Sequence, residues 1–159
     1  MNNMLNSQKK HTVIAFDFGA SSGRAVKAEY DGKRLSYTEV HRFVNSVIEK
    51  NDHLCWDFPY IMGEVNQVLE KYPDIDSLAF DTWGVDYGLL DENDKLIALP
   101  ISYRDGRGEK TYDDILNKIS PDRLYKLTGT QIMPINTLFQ LAADEERAGK
   151  TLLLSLIHI

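Results

Sequence analysis

A single cysteine, Cys55, stands in a chain of 159 residues, so no disulfide can form within it and a reducing compartment suits it. Basic residues are the minority: 18 Lys and Arg face 24 Asp and Glu, a formal net charge of −6. That balance speaks against nucleic acid or an anionic membrane as the main partner, because both need clustered positive charge. No apolar run approaches the roughly 20 residues that span a bilayer. The four histidines are scattered, without metal-ligand spacing. The opening residues 1–10 are polar, lack the apolar core of a secretory signal and read as a solvated leader. The cytoplasm is the expected compartment. Neither an internal repeat nor a linker is visible.

What is present is an ordinary globular composition, 43% hydrophobic and 26% charged, in a length that suits one domain with a real core. His11–Phe16 is a short apolar strand, and Arg24–Tyr30 alternates apolar and polar residues as a half-buried strand does. Asp31-Gly32 is a hairpin turn leading to a third strand, Leu35–Phe43. Pro59–Lys71 reads as a helix, with Ile61, Val65, Val68 and Leu69 on one stripe. Ile75–Asp81 is a strand, followed by a second hairpin: Val85–Leu90, a turn at Asp91–Lys95, then Leu96–Ser102.

The last third is helical: Glu109–Ile119, then a helix capped by Ser120-Pro121, running to Leu127 and stopped by Gly129. Asn136 caps a last helix, Thr137–Ala148, with Gly149 as its stop. Three antiparallel strands, a helix and a strand suggest an α/β half-domain of the ribonuclease-H-like or actin-like ATPase type. Its mixed sheet is expected to be incomplete at the C-terminus, since the closing strand–helix units are lacking.

The chemistry concentrates in Asp17–Arg24 (DFGASSGR). Glycines let the backbone turn and approach a phosphate chain, so that consecutive N–H groups face its oxygens. Ser21 and Ser22 add hydroxyls, Arg24 a positive fork, and Asp17 a carboxylate for Mg²⁺ or a metal-bound water. Walker and dinucleotide-binding loops are set aside, because both require a following helix and neither motif is present. The plainer alternative is a hairpin turn with an incidental acid before it.

A second constellation is Ala79–Asp91 (AFDTWGVDYGLLD), where Asp81, Trp83, Gly84 and Asp86 cluster at a strand end. Aromatic rings stack on sugars and carboxylates take their hydroxyls; a capped strand end with Trp83 in the core fits the same residues. In Tyr103–Arg107 the adjacent Arg104 and Asp105 suit either sugar hydroxyls or a surface ion pair. In Thr128–Leu141, Gln131 and Asn136 suit a pocket lining, and helix capping accounts equally for Asn136.

Together, DFGASSGR, His41–Phe43, Trp56-Asp57, DTWGVDYGLLD, LPISYRDGR and TGTQIMPINTLFQL resemble the FGGY family of carbohydrate kinases, in its order and across nearly all of Val13–Leu141. DTWGVDY, YRDGR and QIMPINTLFQL are similar to the branch acting on L-rhamnulose. The resemblance implies two ribonuclease-H-like domains closing on sugar and ATP, and transfer of the γ-phosphoryl of MgATP to the 1-hydroxyl of L-rhamnulose. It implies ATP and Mg²⁺ as cofactors, a small sugar as the partner, and neither nucleic acid nor membrane. Ala20, Ser21, Ser22, Gly23 and Arg24 would bind the ATP phosphates, with Asp17 on the phosphate and metal side or touching the sugar. Gly84 would contact the sugar, with Trp83, Asp81 and Arg104 as further carry-overs.

The family's catalytic base lies in a His-Asp-Thr motif further along, and none occurs here. No catalytic residue is therefore assigned within the chain, and the base is expected beyond Ile159. By this division 1–10 is a leader, 11–153 part of the amino-terminal kinase domain, and 154–159 (LSLIHI) a non-native tail that reads like a translated sequencing adapter. Opening of the next buried strand is the other reading of that end. The competing functions are kinases of the same family acting on xylulose, fuculose or glycerol, and a non-catalytic nucleotide- or sugar-binding module.

Overall fold

The computed structural model describes residues 10–144 and the backbone of Leu152–Ser155. The leader before Lys10, the expected helical residues 145–148 and the Gly149 stop lie outside the described residues. So do positions 156–159 of the expected tail, and with them Ile159, beyond which the base was expected. The chain folds as two compact units, one from residues up to Ser46 together with Pro59–Thr82, the other from Val47–Phe58 and from Trp83 onward.

In the first unit β1 (His11–Phe18), β2 (Ser22–Tyr30), β3 (Leu35–Val44) and β6 (Ser77–Asp81) form a four-stranded mixed sheet in the order β3-β2-β1-β6. β1, β2 and β3 form an antiparallel meander, and β6 joins β1 in parallel. Alternation on β1 puts Ile14 and Phe16 on one face, where they are fully buried. There they meet Ala25 of β2 and the Val65–Val68 stripe of α1 (Phe58–Lys71), while Phe80 of β6 stacks on Phe16 at 5.1 Å.

Asp31 makes the β2–β3 turn by accepting the N–H groups of Lys33 and Arg34, and Gly32 takes the positive φ of 93°. His41 of β3 and Glu64 of α1 meet at 2.5 Å, tying helix to sheet. The expected strands are therefore present, with β1 and β2 each two residues longer at the shared end. Only Gly19–Ser21 remains as the link between them.

The second unit departs from the sequence reading in two places. Val47–Lys50 (β4) and His53–Trp56 (β5) form a hairpin whose two turn residues, Asn51 and Asp52, both have positive φ (52° and 61°). That is the twist a tight two-residue turn needs, and Asn and Asp tolerate it better than most residues. The expected hairpin after Val85 is only begun. Asp91 makes its turn, and Ile97 donates its N–H to Leu89 O, but the strand expected over Leu96–Ser102 does not form.

Pro100 has no N–H to continue a ladder with β7 (Tyr87–Leu90). Its carbonyl instead accepts from Trp56 N–H, and Ser102 N–H donates to Leu54 O, so the segment transfers to β5. The antiparallel neighbour of β7 is β8 (Leu152–Ser155), with Gly88 opposite Leu154.

Three helices complete this unit: α2 (Glu109–Lys118), α3 (Pro121–Thr128) and α4 (Thr137–Ala143). Ser120 caps α3 through Arg123 N–H, and Gly129 ends it in the left-handed conformation. Asn136 occupies the cap position of α4, but its Oδ1 accepts Met133 N–H rather than a helix N–H. No helix among the described residues is long and apolar enough to cross a membrane.

Two glycines give opposite expectations. A Cβ at Gly23 would collide with the buried Phe43 ring, whereas at Gly63 of α1 it meets nothing within 4 Å. Gly23→Ala should cost about 1–3 kcal/mol by overpacking, and Gly63→Ala should gain up to about 1 kcal/mol through helix propensity. Chemical denaturation of the two variants checks both signs.

Candidate active site

The residues expected to form a phosphate loop sit where β1 turns into β2. Asp17 lies opposite Arg24 in the antiparallel register and beside Asp81 in the parallel one. Asp17 and Asp81 thus stand on neighbouring parallel strands at their C-terminal ends, the usual ligand side of such sheets. Arg24 directs both Nε (2.8 Å) and Nη2 (2.7 Å) at Asp17 Oδ2. Both side chains are close to half exposed (47% and 43%), so the pair is worth at most about 1 kcal/mol and yields readily to a competing anion.

The link itself is held from inside. Gly19 N–H donates to Ser22 O at 2.9 Å, Asn45 N–H to Ser21 O at 3.0 Å, and Asn45 Nδ2 to Gly19 O at 2.9 Å. Gly23 is buried under Phe43, and Ser21 is exposed. Asn45 was missed by sequence reasoning: a lone Asn after a strand carries no local signal, and its partners lie more than twenty positions earlier. As for a metal, no cluster of three or more His, Cys, Asp or Glu suited to one occurs among the described residues. Mg²⁺ binds through one or two carboxylates plus substrate phosphates rather than in an all-protein cage, so Asp17 with Asp81 fits the ion's needs.

Of the second predicted group, Asp81 ends β6 in the first unit, whereas Trp83, Gly84 and Asp86 belong to the second. Trp83 stacks on the fully buried Trp56 at 4.0 Å and 12°. Asp86 is itself buried, and both its oxygens serve the protein. Oδ2 accepts from Trp56 Nε1 at 2.6 Å and from Tyr103 N–H at 3.2 Å, and Oδ1 from Gln140 Nε2 at 3.3 Å. Gln140 also donates to Val85 O and Ile135 O, and accepts from the buried Arg107 at 2.7 Å. Asp86 is therefore the hub of a polar core and not a sugar ligand. Burial pushes its carboxyl above the ordinary range, against the opposing effect of these donors and of Arg107. Burial likewise raises the Tyr87 phenol, whose hydroxyl donates to Asp144.

Arg104 and Asp105 do not act as a pair. Asp105 accepts from Leu54 N–H and meets His53 Nδ1, while Arg104 is exposed with its guanidinium 5.7 Å from the Tyr103 ring centre. Gly84 lines a cavity of about 260 Å³ whose polar lining comes from Thr128, Thr130, Asn136 and Thr137 and whose apolar lining includes Leu124 and Phe139. Arg104 lines a different one of about 360 Å³, with Tyr103, Arg107 and Gln140. The Gly84 cavity combines hydroxyls, an amide and apolar walls, which suits one small polyol.

Residues 12–143 match the N-terminal domain of the FGGY family of carbohydrate kinases. The chain is 40% identical over 134 residues to a rhamnulokinase of Halalkalibacterium halodurans, covering 82% of this chain and 28% of that protein. It is 43% identical over 140 residues to a rhamnulokinase of Klebsiella pneumoniae subsp. pneumoniae, covering 84% of this chain and 29% of the relative. The chain thus spans less than a third of the length of these curated relatives. Among solved structures, a xylulose kinase from Rhodospirillum rubrum superposes with a TM-score of 0.72 at 16% identity, over 91% of this chain and 32% of that one. A glycerol kinase from Plasmodium falciparum with ADP gives 0.64 at 15% identity, over 90% and 31%. The fold is that of these kinases: an α/β unit with a mixed sheet, as the order of elements suggested.

The raised carboxyl of Asp86 gives a signed pH dependence. Its folded pKa lies above the unfolded value, so the stability it contributes is full below the ordinary value of 3.8 and is lost as pH rises through the raised one. The melting-temperature advantage of wild type over Asp86→Asn should be largest at the acid end and shrink as pH rises. An advantage that grows with pH would mean the carboxyl is depressed instead.

Proposed function

The chain belongs to the FGGY family of carbohydrate kinases, and on that footing we propose that the protein it contributes to transfers the γ-phosphoryl of ATP to the 1-hydroxyl of L-rhamnulose. The observation that carries this reading is the 40% and 43% identity to two rhamnulokinases across more than four-fifths of the chain. The β1–β2 link supports it from the geometric side, as does the polyol-sized cavity at Gly84.

Phosphoryl transfer needs little covalent chemistry from the protein; positioning and charge stabilisation supply most of the acceleration. In this reading Ala20, Ser21, Ser22 and Gly23 cradle the phosphates through backbone N–H groups and hydroxyls. Arg24 leaves Asp17 for the phosphate, exchanging one exposed ion pair for a charge-assisted one. Asp17, freed from that guanidinium, becomes a carboxylate for Mg²⁺, with Asp81 adjacent in register. Asp17, with Asp81 beside it, would hold Mg²⁺, which would supply positive charge against the negative charge that develops in the transfer. Gly84 lets the sugar approach the backbone, and Trp83, Asp81 and Arg104 are the further sugar-side candidates.

The proton of the attacking hydroxyl requires a base. By family resemblance that base belongs to a His-Asp-Thr segment, which the sequence from Met1 to Ile159 does not contain. The cytoplasm is the compartment this proposal assigns to the reaction.

Kinetics of the complete gene product with L-rhamnulose, L-fuculose, D-xylulose and glycerol test the reading. L-Rhamnulose should lead in kcat/KM by about tenfold or more; a lead by any of the others overturns the assignment of the sugar. The 159-residue chain by itself should produce no ADP in response to L-rhamnulose.

A further inference from the structure

We propose that Asn45 is a positioning residue for the phosphate loop, acting by holding the loop's carbonyls rather than by touching a ligand. The inference rests on the reading of Gly19–Arg24 as that loop.

Asn45 follows β3 and is only 3% exposed, although burying an amide is costly unless it is bonded. Two of its donors reach the three-residue link: its main-chain N–H binds Ser21 O at 3.0 Å and its Nδ2 binds Gly19 O at 2.9 Å. Chemistry fixes the amide's orientation, because Oδ1 turned toward Gly19 O would set two acceptors against each other. Oδ1 is buried and has no hydrogen-bond partner among the described residues, so the donor is what holds this side chain in place.

The consequence follows from peptide geometry. Among the described residues no peptide bond is cis, and a trans peptide points its N–H opposite to its C=O. Drawing the Gly19 and Ser21 carbonyls inward to Asn45 therefore turns the Ala20 and Ser22 N–H groups the opposite way. Phosphate binding by a backbone nest requires that alternation, with donors toward the anion and no carbonyl facing it. Without the Nδ2 bond, the Gly19–Ala20 peptide is free to flip. A flipped peptide presents an oxygen where the phosphate needs a donor. Position 45 thus governs the polarity of the loop from a different strand.

The test uses the complete gene product carrying Asn45→Ala or the near-isosteric Asn45→Asp, which keeps the size and removes the donor. MgADP affinity is measured by calorimetry well below each variant's melting temperature, and amide exchange is followed at residues 20–23. Both variants should bind MgADP roughly tenfold more weakly, the effect of about one hydrogen bond, and their loop amides should exchange faster than the rest of the sheet. A variant that melts earlier yet binds MgADP like wild type, with unchanged loop exchange, reduces Asn45 to a structural residue and overturns the inference alone. Wild-type protein that fails to bind MgADP overturns the phosphate-loop reading, and this inference with it.

Discussion

The close approach of the Phe43 ring to the backbone at Gly23 sets the geometry of the sheet end where β1 turns into β2. The ring tip occupies the space that any Cβ at position 23 would need. Phe43 also packs edge-on against Phe18 and Tyr60 and beside His41, so it bridges β3, β1 and α1 where the meander turns. With the ring in place, β3 lies close enough for Asn45 to reach across to Gly19 and Ser21. Bulk at 43 and its absence at 23 are thus two halves of one constraint. The three-residue link between β1 and β2 inherits its shape from a contact made in the strands behind it.

The second unit solves a different problem. It buries Asp86, Arg107, Gln140 and Asp144, residue types that carry a desolvation penalty unless they are satisfied. Gln140 links two of them: its Nε2 serves Asp86 and two carbonyls, and its Oε1 takes one arm of Arg107, while Asp144 accepts from the Tyr87 hydroxyl. This network anchors the residues just after Gly84 to α4, whose Thr137 also binds Val85 O. The exposed Gly84 is therefore carried on a fixed frame. A cavity wall built on such a frame suits a ligand that demands orientation more than tight enclosure.

Much of the fold was legible because its signals are local. The alternation around Ile14 and Phe16, the Asp31-Gly32 turn, the stripe on α1 and the Ser120 and Gly129 caps each depend on neighbours a few positions away. The candidate loop was legible at the same range, since Asp17–Arg24 is contiguous. The features that escaped depend on distant partners. Asn45 acquires its role from a loop more than twenty residues earlier. Asp86 looks like a free carboxylate until Trp56, Tyr103 and Gln140 take its oxygens. Leu96–Ser102 has strand composition, yet Pro100 diverts it to β5. The Asn51-Asp52 turn was readable by the same rule that found Asp31-Gly32, and was passed over.

On the proposed reading, a chain with a net charge of −6 would have to accommodate triphosphate, the most anionic of common ligands. Here the positive group nearest the loop is not left bare: Arg24 rests on Asp17, and the pair presents little net field to solvent. Because both partners are half exposed, the proposed exchange of Asp17 for phosphate would cost little, and it would uncover a carboxylate beside Asp81. Two like charges on adjacent strands are unfavourable by themselves and become favourable once a divalent cation sits with the phosphate. In the proposed function, such local electrostatics would favour the arrival of metal and nucleotide together over either alone.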